Sequence, residues 1–263
     1  MFSTAGLSQL LHDSWQLLLL PQTWFVAAVV LISGIVRGFS GFGGALIFIP
    51  LTASILGPMK AVAVFYLFDL VSATPYGYTY FPKANWREVT PMYAGALALL
   101  PVGIYVLTNT DPLTLRWALS LLVLAMLALL VTGWRYKGQP TALASMGVGA
   151  VAGFSGGSTG VSGPVVIAYW LSSRSEAAVI RANIMVFYAL QSTTTDIFLY
   201  FRGLFTFDVA VYALIAWPLY SLGLAIGARW FKGSSDGLYR TSAYVLIAIA
   251  AISSLPLFDA WIR

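Results

Sequence analysis

Two clusters in an otherwise apolar chain combine glycine with hydroxyl side chains: Arg37-Gly-Phe-Ser-Gly-Phe-Gly-Gly44 and Gly153-Phe-Ser-Gly-Gly-Ser-Thr-Gly-Val-Ser-Gly163. Glycine lets backbone approach a ligand closely, and Ser40, Ser155, Ser158, Thr159 and Ser162 can donate hydroxyl hydrogens to the oxygens of an anion. A helix beginning just after each cluster would aim its free amide hydrogens, and the positive end of its dipole, at the same guest. The expected anion-binding set is therefore Arg37, Ser40, Gly41, Gly43 and Gly44 with Ser155, Gly156, Gly157, Ser158, Thr159, Gly160 and Ser162. An isolated glycine more often serves tight helix packing. Two clusters at corresponding places favour a site.

Charges inside apolar sequence are the next chemical signal, since each costs about 2.5–3.5 kcal/mol on insertion scales. Arg37 adjoins the first cluster, where its guanidinium could hold a carboxylate or sulfonate in bidentate fashion or snorkel to the headgroups. Asp69 and Asp196 are candidates for taking up a coupling proton, or for pairing with a buried base. Lys60 and Arg181 stand at the starts of long apolar segments, where a helix dipole disfavours a cation; gating, anion capture and interfacial anchoring are the alternatives. Asn183 and Gln191, two and ten residues beyond Arg181, are expected to line the cavity. The tryptophans, Trp86, Trp134, Trp170 and Trp230 among them, are expected to form an interfacial belt.

These residues sit in a chain of 263 residues that is 59% hydrophobic and only 9% charged, with a mean hydropathy of +0.84. A soluble domain carries roughly 25% charged residues. Apolar runs such as Leu121 to Val131 extend, with their neighbours, to about the 20 residues that cross a bilayer. The net charge of +5 comes from bases scattered in short loops, with no basic stripe to follow phosphates, so no nucleic acid is expected. Without cysteine, thiolate metal sites and cysteine nucleophiles are excluded. No catalytic residue, metal or cofactor is expected.

The chain repeats itself once. Gly34-Ile-Val-Arg-Gly-Phe-Ser-Gly41 matches Gly149-Ala-Val-Ala-Gly-Phe-Ser-Gly156, and Lys60-Ala61 pairs with Arg181-Ala182, Phe81 with Phe201, and Glu88-Val89 with Asp208-Val209, at offsets of 115, 121 and 120 residues. One transmembrane domain is expected, with repeat 1 over about 22–135 and repeat 2 over about 140–256. The fold class is all-α: each repeat opens with a glycine-rich helical hairpin, re-entrant or broken, followed by three transmembrane helices. If the glycine elements are hairpins, nine bases gather on one side against four on the other; single crossings give six against seven. Only the hairpin obeys the positive-inside rule. It makes the repeats inverted, with the basic loops in the cytoplasm and both termini outside it.

The Gly-Phe-Ser-Gly-Phe-Gly-Gly-Ala opening, the following Ile-Pro, the Lys-Ala-Val helix start, the loop from Phe81 to Trp86 and the duplication of the pattern resemble the sulfite exporter TauE/SafE family, from about Phe25 to Ala251. The second cluster departs from the family's more regular glycine string. The resemblance implies a multi-pass permease of a bacterial inner membrane that moves sulfite, sulfonates or other small organic anions. The expected partners are the lipid bilayer, a small anionic substrate and a coupling proton or cation, with room left for a homodimer. The expected function is secondary transport, in the export direction, by alternating access with substrate between the two glycine clusters. A passive anion channel is the alternative. An intramembrane serine protease is a remote one, because the three Gly-x-Ser-Gly strings lack a base: the only histidine, His12, precedes the spans.

Overall fold

The computed structural model describes residues 21–40, 43–132, 141–170 and 175–231, and near the C terminus 245, 247–249, 251–252 and 255–258. Among them the chain is helical, with no strand. In order, the helices are α1 (Pro21–Ser40), α2 (Gly44–Leu56), α3 (Pro58–Ser72), the short α4 (Thr74–Tyr78), α5 (Trp86–Asn109), α6 (Pro112–Val131), α7 (Ala142–Thr159), α8 (Gly163–Trp170), α9 (Ala177–Phe201) and α10 (Phe207–Phe231). Pro58 and Pro112 each open a helix, where the missing amide hydrogen has no intrahelical partner to lose. Asn85 caps α5 and Asp111 caps α6 through the amides of Arg87 and Thr114, and the contacts with Thr114 hold the Asp111 carboxyl below its usual range.

The surface is that of a protein solvated by lipid. Trp24, Leu97, Val102, Leu121, Leu143, Leu214 and Leu222 lie exposed. Trp86–Asn109, Pro112–Leu129 and Phe207–Arg229 are long and apolar enough to cross a bilayer, and Thr23–Gly38 and Gly44–Leu56 are shorter apolar helices. The 25-residue α9 is as long as α10 but inverted in character, burying Asn183, Gln191, Ser192, Thr195 and Asp196. A helix that hides its polar face from lipid belongs in the protein centre.

Two helix pairs are zipped through backbone contact, and both run parallel. A Cβ added to Gly149, Gly153 or Gly157 of α7 would fall 1.9, 2.1 or 2.6 Å from the carbonyl oxygens of Met92, Ala96 and Leu100 on α5. Steps of four residues on one helix match steps of four on the other. In the second pair, Gly34 and Gly38 of α1 meet the carbonyls of Tyr220 and Leu224 on α10 in the same manner, at 2.7 and 2.2 Å. Helix α3 also packs against α10, and α9 against α5. Small-residue seams of this kind let van der Waals contact replace the hydrophobic drive that lipid cannot supply.

Helix α8 doubles back on α7. The Tyr169 hydroxyl lies 2.9 Å from Ser145 Oγ and 3.4 Å from the Thr141 carbonyl, at the start of α7. Had the two continued as one rod, Tyr169 would lie about 40 Å from Thr141 at 1.5 Å per residue. Tyrosine reach cannot bridge that, so the element is a hairpin.

Two expectations change. Helix runs unbroken through Gly153 to Thr159 and through Gly38 to Ser40, so the glycine segments are mostly helix and the turns are short. The reason is the seam itself: packing against α5 fixes backbone that isolated glycine would leave loose. Trp170 is fully buried against Phe187 rather than interfacial, while Trp86 is exposed; the side chains of Trp134 and Trp230 lie outside the described residues.

Candidate functional site

The two helix interruptions meet. Gly43, with φ of 92°, precedes α2, and Gly160, with φ of 74°, ends α7; both are left-handed conformations that a side chain resists. Both line one cavity of about 40 Å³ together with Arg37, Tyr66, Ser162, Gly163, Tyr188 and Ser192. Helices α2 and α8 begin at Gly44 and Gly163, at the rim of this space, and their first amide hydrogens have no intrahelical acceptor. A cavity that receives two such helix starts and a guanidinium attracts negative charge.

The guanidinium is held in place rather than free. Arg37 Nη2 lies 3.4 Å from both carboxylate oxygens of Asp69 on α3. Asp69 is itself buried, and accepts hydrogen bonds from Tyr220 of α10 at 3.2 Å and from Ser192 of α9. At 3.4 Å the ion pair is long compared with the roughly 2.7–2.9 Å of a strong charge-assisted bond. Arg37 thus keeps hydrogen-bonding capacity for the cavity it lines.

The remaining residues sort by position. Gly44 faces Arg37 and the Tyr220 hydroxyl, which an added Cβ would approach to 3.2 and 2.8 Å. The hydroxyls of Ser155, Ser158 and Thr159 donate to the carbonyls of Ala152, Phe154 and Ser155 within α7, so they are spent on their own helix. Ser162 donates to Gln191 Oε1 at 3.3 Å, while Gln191 Nε2 donates to the Ala152 carbonyl at 3.1 Å, tying the turn to α9. Gly156 leaves room for that amide, and its carbonyl lies 3.5 Å from the Tyr66 hydroxyl. Gly157 belongs to the α5 seam. The Ser40 side chain and Gly41 lie outside the described residues.

The other candidates lie apart from the cavity lining. Lys60 forms an ion pair with Asp208 at the start of α10, which answers the unfavourable dipole at its own helix start. Asn183 donates to Glu88 Oε2 at 2.9 Å and accepts from the Asn85 amide at 2.7 Å. Arg181 is exposed at the start of α9. Asp196 is buried, and neither of its carboxylate oxygens has a hydrogen-bond partner.

Sequence reasoning missed Tyr66, Tyr188, Ser192 and Tyr220. The three tyrosines sit among largely apolar neighbours with no motif around them, whereas Ser192 stands in the polar run Gln191-Ser-Thr-Thr-Thr-Asp196. Spacing was a further signal: Tyr188 and Ser192 lie four residues apart, on one face of α9.

An all-helical chain with an apolar exterior, a buried polar centre and a small cationic cavity has the features of a multi-pass membrane transporter. Comparison makes this specific: the family model described as Sulfite exporter TauE/SafE matches residues 26–254, and the chain belongs to that family. It is similar to the protein described as "Probable sulfite/organosulfonate exporter TauE" of Cupriavidus necator, with 28% identity over 233 residues that cover 85% of this chain and 90% of that protein. No solved structure gives a significant match.

Proposed function

We propose that this chain is a secondary carrier that exports sulfite or small organosulfonates across a bacterial inner membrane, binding them between the two helix turns. The observation that carries the reading is the cavity in which Arg37, the Gly43 turn and the Gly160 to Ser162 turn converge. A sulfonate or sulfite presents several acceptor oxygens, and the free amides of two helix starts plus one guanidinium supply matching donors. Ser162 and Tyr188 reach the same space. Arg37, Gly43, Gly44, Gly160 and Ser162 form the core of the site; Ser155 to Thr159 shape the second turn from behind.

The repeats, over about 22–135 and 140–256, are inverted in this reading. Exchange of equivalent helices supports it: α1 pairs with α10 as α7 pairs with α5, and α3 meets α10 as α9 meets α5. Each repeat thus embraces the other, an arrangement suited to rocking about a central site. Lys60 with Asp208, and Asn183 with Glu88, join helix starts of different repeats and act as contacts that opening must break.

Reconstituted vesicles loaded with sulfite or sulfoacetate test this. Saturable flux with counterflow is expected, and Arg37→Ala is expected to abolish it while the protein still inserts. Flux that stays linear in concentration, or Arg37→Ala flux equal to the parent, rules out a carrier using this site. Topology is open to a separate test, since the chain contains no cysteine. A cysteine placed at Lys137 should react with an impermeant maleimide only from the cytoplasmic side.

A further inference from the structure

Anion binding at a buried guanidinium disturbs whatever already pairs with it, and here the partner is Asp69. We infer that occupancy of the Arg37 cavity by an anion is coupled to uptake of one proton by the buried carboxylate of Asp69. The inference rests on the anion-carrier reading above and adds to it the co-transported species.

Arg37 faces Asp69 through both carboxylate oxygens at 3.4 Å, so one buried positive charge is balanced by one negative charge. Asp196 lies one helical turn beyond Ser192, the residue that donates to Asp69 and lines the cavity. Both Asp196 oxygens are buried without a partner. An ionised carboxylate in such a place is strongly disfavoured, so Asp196 stands as the neutral acid. The pair therefore carries one negative charge.

An entering monoanion draws the Arg37 hydrogens toward itself. Asp69 is then left beside Asp196 with only the Tyr220 and Ser192 hydroxyls, and three acidic groups face a single cation. Taking one proton onto a carboxyl oxygen restores neutrality: anion plus proton bind to an Arg37 and Asp69 pair, and the sum of charges does not change. No bond other than the O–H bond forms.

The groups around Asp69 leave few competing explanations. Arg37 comes from α1, Tyr220 from α10, Asp196 from α9, and Tyr66 from α3 itself. Helix α2 carries no titratable residue, and Tyr76 and Tyr78 of α4 are exposed. Lys60 is nine residues away along α3, about 14 Å at helical rise, and is committed to Asp208. Glu88 and Tyr93 of α5 engage Asn183 and Thr194, and Arg116 sits near the start of α6. By linkage, a site that takes one proton with its anion binds that anion up to tenfold more weakly for each unit that pH rises.

The test uses the purified full chain and the monoanions methanesulfonate and ethanesulfonate, whose sulfonate groups take no proton near neutral pH. Titration calorimetry in two buffers of different ionisation heat counts protons taken up per anion bound. About one proton is expected for the parent and close to none for Asp69→Asn, whose affinity should also lose its pH dependence. Asp196→Asn, which keeps the site neutral, should still bind and should retain an uptake near one; should Asp69→Asn fail to fold, the parent proton count alone decides. Binding with no proton uptake by the parent overturns the inference and leaves the carrier reading standing. Failure of the parent to bind either anion overturns both.

Discussion

The stretch from Gly149 to Gly163 uses one residue type for two unlike purposes. Gly149, Gly153 and Gly157 form a stripe at four-residue spacing, pressed on the carbonyls of α5, and their value is the missing side chain. Gly160 turns the chain with a positive φ at the cavity, and its value is the backbone angle. Glycine count alone therefore does not mark a binding loop. What separates the two uses is the partner: a helix alongside holds the first set straight, and at Gly160 the chain leaves that helix behind.

The comparison can be broken most sharply at the seam. Gly153→Val should destabilise the folded protein by about 3 kcal/mol or more, since a Cβ would lie 2.1 Å from a backbone oxygen that cannot rotate away. Thermal unfolding in detergent would register it, and an unchanged melting temperature would mean that α5 and α7 are not in backbone contact. Gly160→Ala should cost less stability, about 1–2 kcal/mol for the left-handed angle, because the nearest obstacle is the flexible end of Ile49. Transport should nevertheless be lost, through the altered turn at the cavity. The reverse pattern, intact transport with severe unfolding, would assign Gly160 to packing.

Smaller effects sharpen the contrast. Asp208→Asn removes the charge partner of a half-exposed Lys60 and should change stability by under about 1 kcal/mol; a charge exchange, Lys60→Asp with Asp208→Lys, should restore transport if the pair acts as a gate contact. Gly147→Ala is the control: nothing lies within 4 Å of the new Cβ, so helix propensity should raise stability by up to about 1 kcal/mol and leave transport unaltered. A loss at Gly147 comparable to that at Gly153 would show that glycine anywhere in α7 matters, and the partner would not be the deciding factor.

Much of the architecture was legible from residue order. The membrane class followed from composition, and Arg37, Gly43, Gly160 and Ser162, which line one cavity, stand out in the sequence because charge and turn-forming residues are rare in apolar sequence. The hydroxyls of Ser155, Ser158 and Thr159 were legible only as donors; whether a helix would consume them depended on α7 continuing to Thr159. Tyr66, Tyr188 and Tyr220 carried no local signal, since a tyrosine in an apolar helix faces lipid, core or cavity according to its neighbours. The same holds for Lys60, whose partner Asp208 is 148 residues away.

Sequence by itself determined that this chain must live in lipid, that Gly-Phe-Ser-Gly occurs twice in it, and that a guanidinium adjoins the first of its two glycine clusters. These are properties of composition and local spacing, which need no knowledge of what lies across the protein. Tertiary structure alone decided which glycines are seam and which are turn, that Asp69 rather than solvent answers Arg37, and that Asp196 is left without a partner. Those outcomes depend on which distant helix arrives alongside, and in a low-dielectric interior that arrival sets whether a charge is paired, neutral or available to a guest.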